Sequence, residues 1–399
     1  MSLLLSDGIT DANLNLRLVG QRLSPTDHLM YFHQANQYFN TTYKMPTAQR
    51  VMDLLLFPGV LEYGLPTDFL GMFQPEAPYN FLSASFIQRT ESELMHYLNG
   101  NSIALKYDHE NPFILVNFEG SNSAASISSS NDLSNVGNAG TTLINGFEDL
   151  SSNGVITVGG DATGAYADGQ IFTEGLGSVG FTITGNSGVS TISITGQSPI
   201  DMTNYLKNGY VFVDVQNPNT TAITSIQVQL ISSAGNYYQM TAINRYRGNS
   251  IGQGWGLIGN NFMTATPVGS PVITNIVNVL ITITQPASNS GTYRIDNLFA
   301  SNPTYYQLPY YSKFNVKTAS GTYIARPLST DDTILCPTEG DQALLYKELE
   351  IASISGLKDE GLAQYYRQEL APKEALLRSK YPKQEMRVQT GYFKRANNF

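Results

Sequence analysis

The sequence predicts an α+β chain in which a discontinuous helical-bundle and small-sheet domain, made of the N- and C-terminal segments, carries an inserted all-β jelly-roll sandwich. Three observations predict it. Residues 121–300 hold 13 Asp, Glu, Lys and Arg in 180 positions, whereas 1–120 and 301–399 together hold 42 in 219. Helical spacing of apolar residues is found only near the two ends. The centre concentrates Val, Ile, Thr, Tyr and Phe in short runs between Gly, Asn, Pro and Ser, without a useful helical period, which is the pattern of a sandwich. The expected division is 1–120 plus 301–399 for the outer domain, 121–145 for a linker and 146–300 for the insert. Nesting of this kind is inexpensive, because lengthening a loop about thirtyfold costs roughly 3 kcal/mol of closure entropy.

In chain order, 11–22 and 25–43 are predicted as a helical hairpin. Ser24 is placed to cap the second helix, Pro25 stands at its first position, and Leu29, Phe32, Ala35, Tyr38 and Phe39 recur at three- and four-residue spacing. After Pro46 the period changes to that of strands, two apolar runs meeting across Pro58-Gly59, with further strands at 104–107 and 113–118. The stretch 121–145 is too small and polar for a core element and is read as the linker. Strands follow at 154–158, 180–184, 191–195, 209–215, 225–232, 237–243, 275–284 and 291–298. Near the end, the residues from Asp341 to Lys383 predict helices with apolar faces at Leu344, Leu345, Leu349, Ala352, Leu362, Tyr365, Tyr366, Leu370, Leu376 and Leu377, and Pro372 is expected to break or restart the last one. From Arg378 to Arg395 six Lys and Arg face one acidic residue, Glu385, which suggests a basic arm.

Composition removes several functions. A net charge of −9 argues against general duplex-DNA binding, which depends on Lys and Arg neutralising phosphates. The opening MSLLLSDGITD lacks the basic and apolar regions of a signal peptide, and no run reaches the ~18 apolar residues of a membrane helix. A single Cys336 excludes an intrachain disulfide and suits folding in a reducing cytoplasm as a small core residue. Residues 254–259 match G-x-G-x-x-G letter for letter, yet no helix follows and no acidic residue lies ~20 positions on, so a dinucleotide site is not expected. His28, His33, His96 and His109 have no metal-binding spacing. The adjacent carboxylates Asp331-Asp332 and Glu148-Asp149 would point to opposite faces of a strand, unlike a glycosidase pair. No catalytic residue is therefore expected.

The end segments resemble the head-to-tail connector (adaptor or stopper) proteins of tailed bacteriophages. The resemblance lies in the helical pair, in the phrase Tyr63, Leu65, Pro66, Asp68 and Phe69, in the text from Tyr310 to Pro337, and in a close with Leu376, Leu377, Tyr381 and Pro382. It covers roughly half of the chain. It implies a structural virion protein in the neck, made in the host bacterial cytoplasm: a homo-oligomeric ring, commonly of twelve, that joins portal to tail proteins. DNA would pass through its channel without sequence-specific binding, and no membrane would be involved. Leu376, Leu377, Tyr381 and Arg387 would meet the portal or a neighbouring subunit. Read from its residues alone, Asp68 is expected to cap local backbone N–H groups.

The centre resembles a carbohydrate-binding-module jelly roll, opening at Gly146-Phe147-Glu148-Asp149 and closing at Tyr293–Leu298, with Tyr237-Tyr238 and Gly254-Trp255 between. That resemblance implies a structural calcium held by Glu148 and Asp296 and a glycan stacked on Trp255, the one Trp of the chain; the hard oxygens of carboxylates suit Ca²⁺. Read without the family, a lone sandwich Trp is a core residue. A tail receptor-binding or glycan-adhesion protein, with the sandwich as working part and the flanks as anchor, is the alternative. A carbohydrate-active enzyme is a third reading.

Overall fold

The structure, a computed structural model, describes residues 3–43, 45–57, 60, 62–72, 87–88, 102–108, 111–117, 141–173 and 175–381. The chain divides into two compact units. One comprises Met1–Met52, Asp68–Pro75 and Pro309–Phe399; the other comprises Asp53–Thr67 and Glu76–Leu308.

The first unit holds the four α-helices found among the described residues: α1 (Leu5–Leu18), α2 (Pro25–Thr42), α3 (Thr338–Ala352) and α4 (Glu360–Lys380). Leu5, Phe32, Phe39, Val316, Ile334, Leu344, Leu370 and Leu377 fill its main core beside a sheet of four two-residue strands. Ser24 caps α2 as expected, its hydroxyl accepting from the Asp27 N–H at 3.2 Å. The first helix begins six residues before the expected start, because Leu5, Ile9, Ala12 and Leu16 already form a buried stripe. It ends where Gly20, at φ 76°, lets the Gly20 and Gln21 N–H groups turn back to Arg17 and Leu16. Pro372 does not break α4. It sits on the exposed side of a continuous helix, so the Gln368 carbonyl deprived of its N–H partner faces water rather than the core.

The same unit buries polar groups in pairs. His28 Nδ1 lies 2.7 Å from Glu348 Oε1 with both side chains fully enclosed, and Asn36 and Asn315 exchange two amide hydrogen bonds at 2.7 Å. Asp68 differs from expectation: its carboxylate accepts from the hydroxyls of Tyr310 and Ser312, residues far along the chain, while Phe69 stacks on Tyr310. Cys336 is buried, and burial pushes its thiol well up from the usual range. His33 is half-buried; His96 and His109 lie outside the described residues.

Among the described residues the sandwich has twelve strands: β1 (Thr141–Asn145), β2 (Val155–Gly160), β3 (Ala162–Asp168), β4 (Ser178–Ile183), β5 (Val189–Thr195), β6 (Tyr210–Asn217), β7 (Ser225–Ser233), β8 (Asn236–Ala242), β9 (Gly254–Asn261), β10 (Thr266–Val268), β11 (Asn278–Thr284) and β12 (Gly291–Ser301). The front sheet has the order β3-β4-β12-β6-β9, with β1 also pairing β12 beyond β4. The back sheet has the order β10-β8-β7-β11-β5-β2. Every pairing in both sheets is antiparallel. Their facing side chains, among them Val211, Val213, Val215, Ile258, Tyr293 and Ile295 in front and Ile192, Ile226, Val228, Ile281 and Ile283 behind, form one apolar core.

The sandwich starts earlier than expected. Residues 141–145 are strand β1, since Ile144 and Asn145 are buried against β12, while 121–140 lie outside the described residues. The second unit also takes in 53–67, 76–120 and 301–308, which the sequence placed with the outer domain. Phe57 and Tyr63 explain why for the first of these: Phe57 packs edge-on to Tyr210, Phe212 and Tyr246, and Tyr63 to Tyr246, at centroid separations of 4.9–5.8 Å. Glu62–Gly64 pairs with Asn111–Asn117, which pairs in turn with Ser102–Asp108.

Candidate functional site

Because Val211, Val213 and Val215 point into the core, their neighbours Tyr210, Phe212, Asp214 and Gln216 must point away from it. Strand register then arranges the outer face of the front sheet in rows across β9, β6 and β12. Trp255, Gln216 and Arg294 form the first row; Leu257, Asp214 and Asp296 the second; Gly259, Phe212 and Phe299 the third; Asn261, Tyr210 and Ser301 the fourth. A bulge in β12 keeps the rows aligned. Asn297 adopts φ 50° where β12 carries an extra residue opposite Val213, so Tyr293 and Ile295 before it and Leu298 and Ala300 after it all face the core.

The first row continues into an ion pair. The Arg294 Nε donates to Asp168 Oδ2 at 2.8 Å and its Nη1 to Gln216 Oε1 at 2.8 Å, while Trp255, half-buried, stands beside Gln216. The hydrogen bond from Arg294 holds the Asp168 carboxyl below its usual range. In the second row Asp214 and Asp296 are neighbours in register, and the Thr173 hydroxyl lies 3.2 and 2.8 Å from them.

Trp255 from the first row and Leu257 and Asp214 from the second line a cleft of about 260 Å³ together with Thr173, Tyr246 and Arg247, with Glu62 and Arg245 at its walls. Arg247 donates to Glu62 at 3.0 Å, and its guanidinium lies 4.7 Å from the Phe113 ring centroid. Arg245 donates to the Gly252 and Gln253 carbonyls, and burial raises the Tyr246 phenol. An indole surface beside carboxylate, amide and guanidinium groups offers an apolar plane with hydrogen-bonding partners at its edge.

The sequence-derived residues divide. Trp255 stands on the cleft wall and not in the sandwich core. Glu148 and Asp296 grip one loop from two sides: Glu148 Oε2 accepts from the Leu176 N–H at 2.6 Å and Asp296 Oδ2 from the Thr173 N–H at 2.7 Å. One oxygen of each carboxylate thus accepts an N–H, and among the described residues no three His, Cys, Asp or Glu side chains gather as a metal site. Glu174 lies outside the described residues.

In the helical unit, Leu376 is exposed on α4, on the same side as Tyr365 and Pro372. Leu377 is corrected: it is fully buried among Leu5, Phe39 and Leu370, so its side chain serves its own core and is closed to a partner. Tyr381 packs half-buried on that core, and Arg387 lies outside the described residues. Among the described residues, no helix is long and apolar enough to cross a membrane.

Sequence reasoning did not single out Asp168, Asp214, Arg247 or Arg294. A signal was present in the scarcity of charge. Of the 13 charged residues in 121–300, six (Asp168, Asp214, Arg245, Arg247, Arg294 and Asp296) converge on this one face and cleft.

No protein-family model matches the chain, and no curated protein matches it. Among solved structures it is similar to a family 30 carbohydrate binding module, at 13% identity over 41% of this chain and 88% of that one, with a TM-score of 0.33. It is similar to the family 30 module of the cellulosomal cellulase Cel9D-Cel44B of Clostridium thermocellum at 13% identity, 41% and 97% coverage and a TM-score of 0.31. A family 11 module from the same organism, in complex with a β-1,3-1,4-mixed-linked tetrasaccharide, gives 13%, 41% and 96%, and 0.30.

Proposed function

We propose that the sandwich binds a glycan in the cleft beside Trp255, and that the chain is a non-enzymatic structural virion protein whose helical unit builds a head-to-tail connector ring. The observation that carries the glycan reading is the row of Trp255, Gln216, Arg294 and Asp168, with Asp214 one row below. A sugar ring has an apolar face of C–H groups and a rim of hydroxyls. The indole suits the first, and the fixed amide, guanidinium and carboxylate edges suit the second. Trp255 is the stacking platform in this reading. Arg294, already locked by Asp168 and Gln216, keeps the amide edge in place. A glycan array probed with the intact chain and with Trp255→Ala tests it: binding to a defined sugar that falls at least tenfold in the variant is expected, and equal signals would refute it.

The connector half of the proposal is supported by the sequence phrases at both ends and by the exposed Tyr365–Leu376 side of α4. With a net charge of −9, such a ring would let DNA pass without adhering. Native mass spectrometry with and without a portal protein tests this half. A ring that docks on the portal is the expected outcome. A monomer or trimer indifferent to the portal would transfer the reading to a tail adhesin, for which the same cleft would be the working part.

A further inference from the structure

The outer face of the front sheet is one groove floor of four rows, yet its two ends are treated differently. The Trp255 and Asp214 rows open onto the cleft. The Phe212 and Tyr210 rows are roofed by the chain's own Phe57, which is fully buried and lies 4.9 and 5.1 Å from the Tyr210 and Phe212 ring centroids. Tyr63 locks that roof, its hydroxyl accepting from the Phe57 N–H at 2.8 Å and facing the Phe57 carbonyl at 3.2 Å, and Tyr246 reaches the Leu55 carbonyl.

The boundary between open and roofed halves is a wall. Glu62 pairs with Arg247, whose guanidinium rests on Phe113. Gly64 presses so closely on this wall that a Cβ there would stand 2.1 Å from the Arg247 carbonyl oxygen, which leaves glycine as the residue that fits. The space left, about 260 Å³, is below the ~300–1,000 Å³ typical of drug-sized ligand sites.

We infer that the cleft receives the end of a glycan, one or two sugar rings deep, and that Phe57 and Tyr63 with the Glu62–Arg247 wall exclude a polysaccharide running along the sheet. This rests on the glycan reading above and adds to it the mode of recognition: a sheet face of four rows, three of them carrying aromatic rings, is present, and the protein covers two of those rows with its own Phe57.

The test uses the full chain and an array of mono- to hexasaccharides attached through their reducing ends, followed by the best binder with its free terminal sugar capped by methyl ethers. Affinity is expected to level off by the second ring and to fall more than tenfold on capping. Affinity that climbs through four to six rings, or indifference to the cap, would overturn end recognition while leaving glycan binding intact. No binding to any sugar would sink both. Two variants sharpen the result. Phe57→Ala should unroof the aromatic rows and extend the length dependence beyond two rings. Glu62→Gln, at a half-buried side chain whose loss leaves the roof's core untouched, should restore at least threefold of the binding lost on capping; no recovery would mean that the wall does not set the limit.

Discussion

The two sheets of the sandwich bury the same kind of side chain and differ on the faces they turn away from each other. All six back-sheet strands lack Asp, Glu, Lys and Arg, and their outer side chains are largely Thr, Ser and Gln, with Gln229 donating to Gln227 and Gln239. The front sheet carries Asp168, Asp214, Arg294 and Asp296, together with Trp255 and a covered aromatic patch. A neutral Thr and Gln surface is what a sandwich needs to stay folded in water. The charged and aromatic face goes beyond that need, and the difference locates the site better than any single residue does.

The strongest way to break this comparison is to empty the front sheet's cover. Phe57→Ala removes a fully buried ring and should cost about 3–5 kcal/mol in chemical denaturation, whereas Gln229→Ala on the back sheet should stay within about 0.5 kcal/mol. Equal losses would mean that the two outer faces are not energetically distinct. The next contrast is functional: Trp255→Ala should lose at least tenfold in glycan affinity, while Gln239→Ala on the opposite face changes nothing measurable by titration calorimetry.

A smaller effect is expected from pH. The Asp168 carboxyl is held down chiefly by the hydrogen bond from Arg294, so its folded value lies below the unfolded value of about 3.9. Its contribution to stability is complete above that unfolded value and is lost as pH falls from there through the folded value. Urea midpoints measured at pH 6 and pH 3 should therefore differ less in Arg294→Met than in the parent protein; an unchanged difference would show that this pair does not govern the acid loss. The smallest effect concerns calcium. Since Glu148 and Asp296 already accept N–H groups from the loop between β3 and β4, chelation should move the thermal midpoint by no more than about 1 °C, well under the ~2–8 °C that 1 kcal/mol produces. A rise of several degrees on adding calcium would place a cation between them.

The back sheet was the more legible of the two. SIQVQLISS alternates in the sequence and alternates in burial along β7, because a neutral strand with one face buried has no other demand on it. The front sheet concealed three strands. β9 was not among the expected strands, because its glycines break up the apolar run; Gly259 is there because the Phe212 and Tyr246 rings occupy the place of a Cβ, which would approach them to 2.9 and 2.6 Å. β3 is a run of small residues at a sheet edge, and β1 sits at the end of a polar stretch whose pairing partner lies about 155 positions on. Trp255 was legible as a candidate because it stands alone. Its neighbours Gln216 and Arg294 were not, since only strand register brings residues 39 and 78 positions apart into one row.

The chain passes between its two units four times, at 52/53, 67/68, 75/76 and 308/309. A genetic cassette would enter and leave its host once each. Excising 146–300 would strand Phe57 and Tyr63, two aromatic residues of the flanking text whose burial depends on Tyr210, Phe212 and Tyr246. The sandwich and its neighbouring segment therefore have to be inherited, transplanted or deleted together, and a graft into another scaffold would have to carry 53–67 with it to keep the same groove.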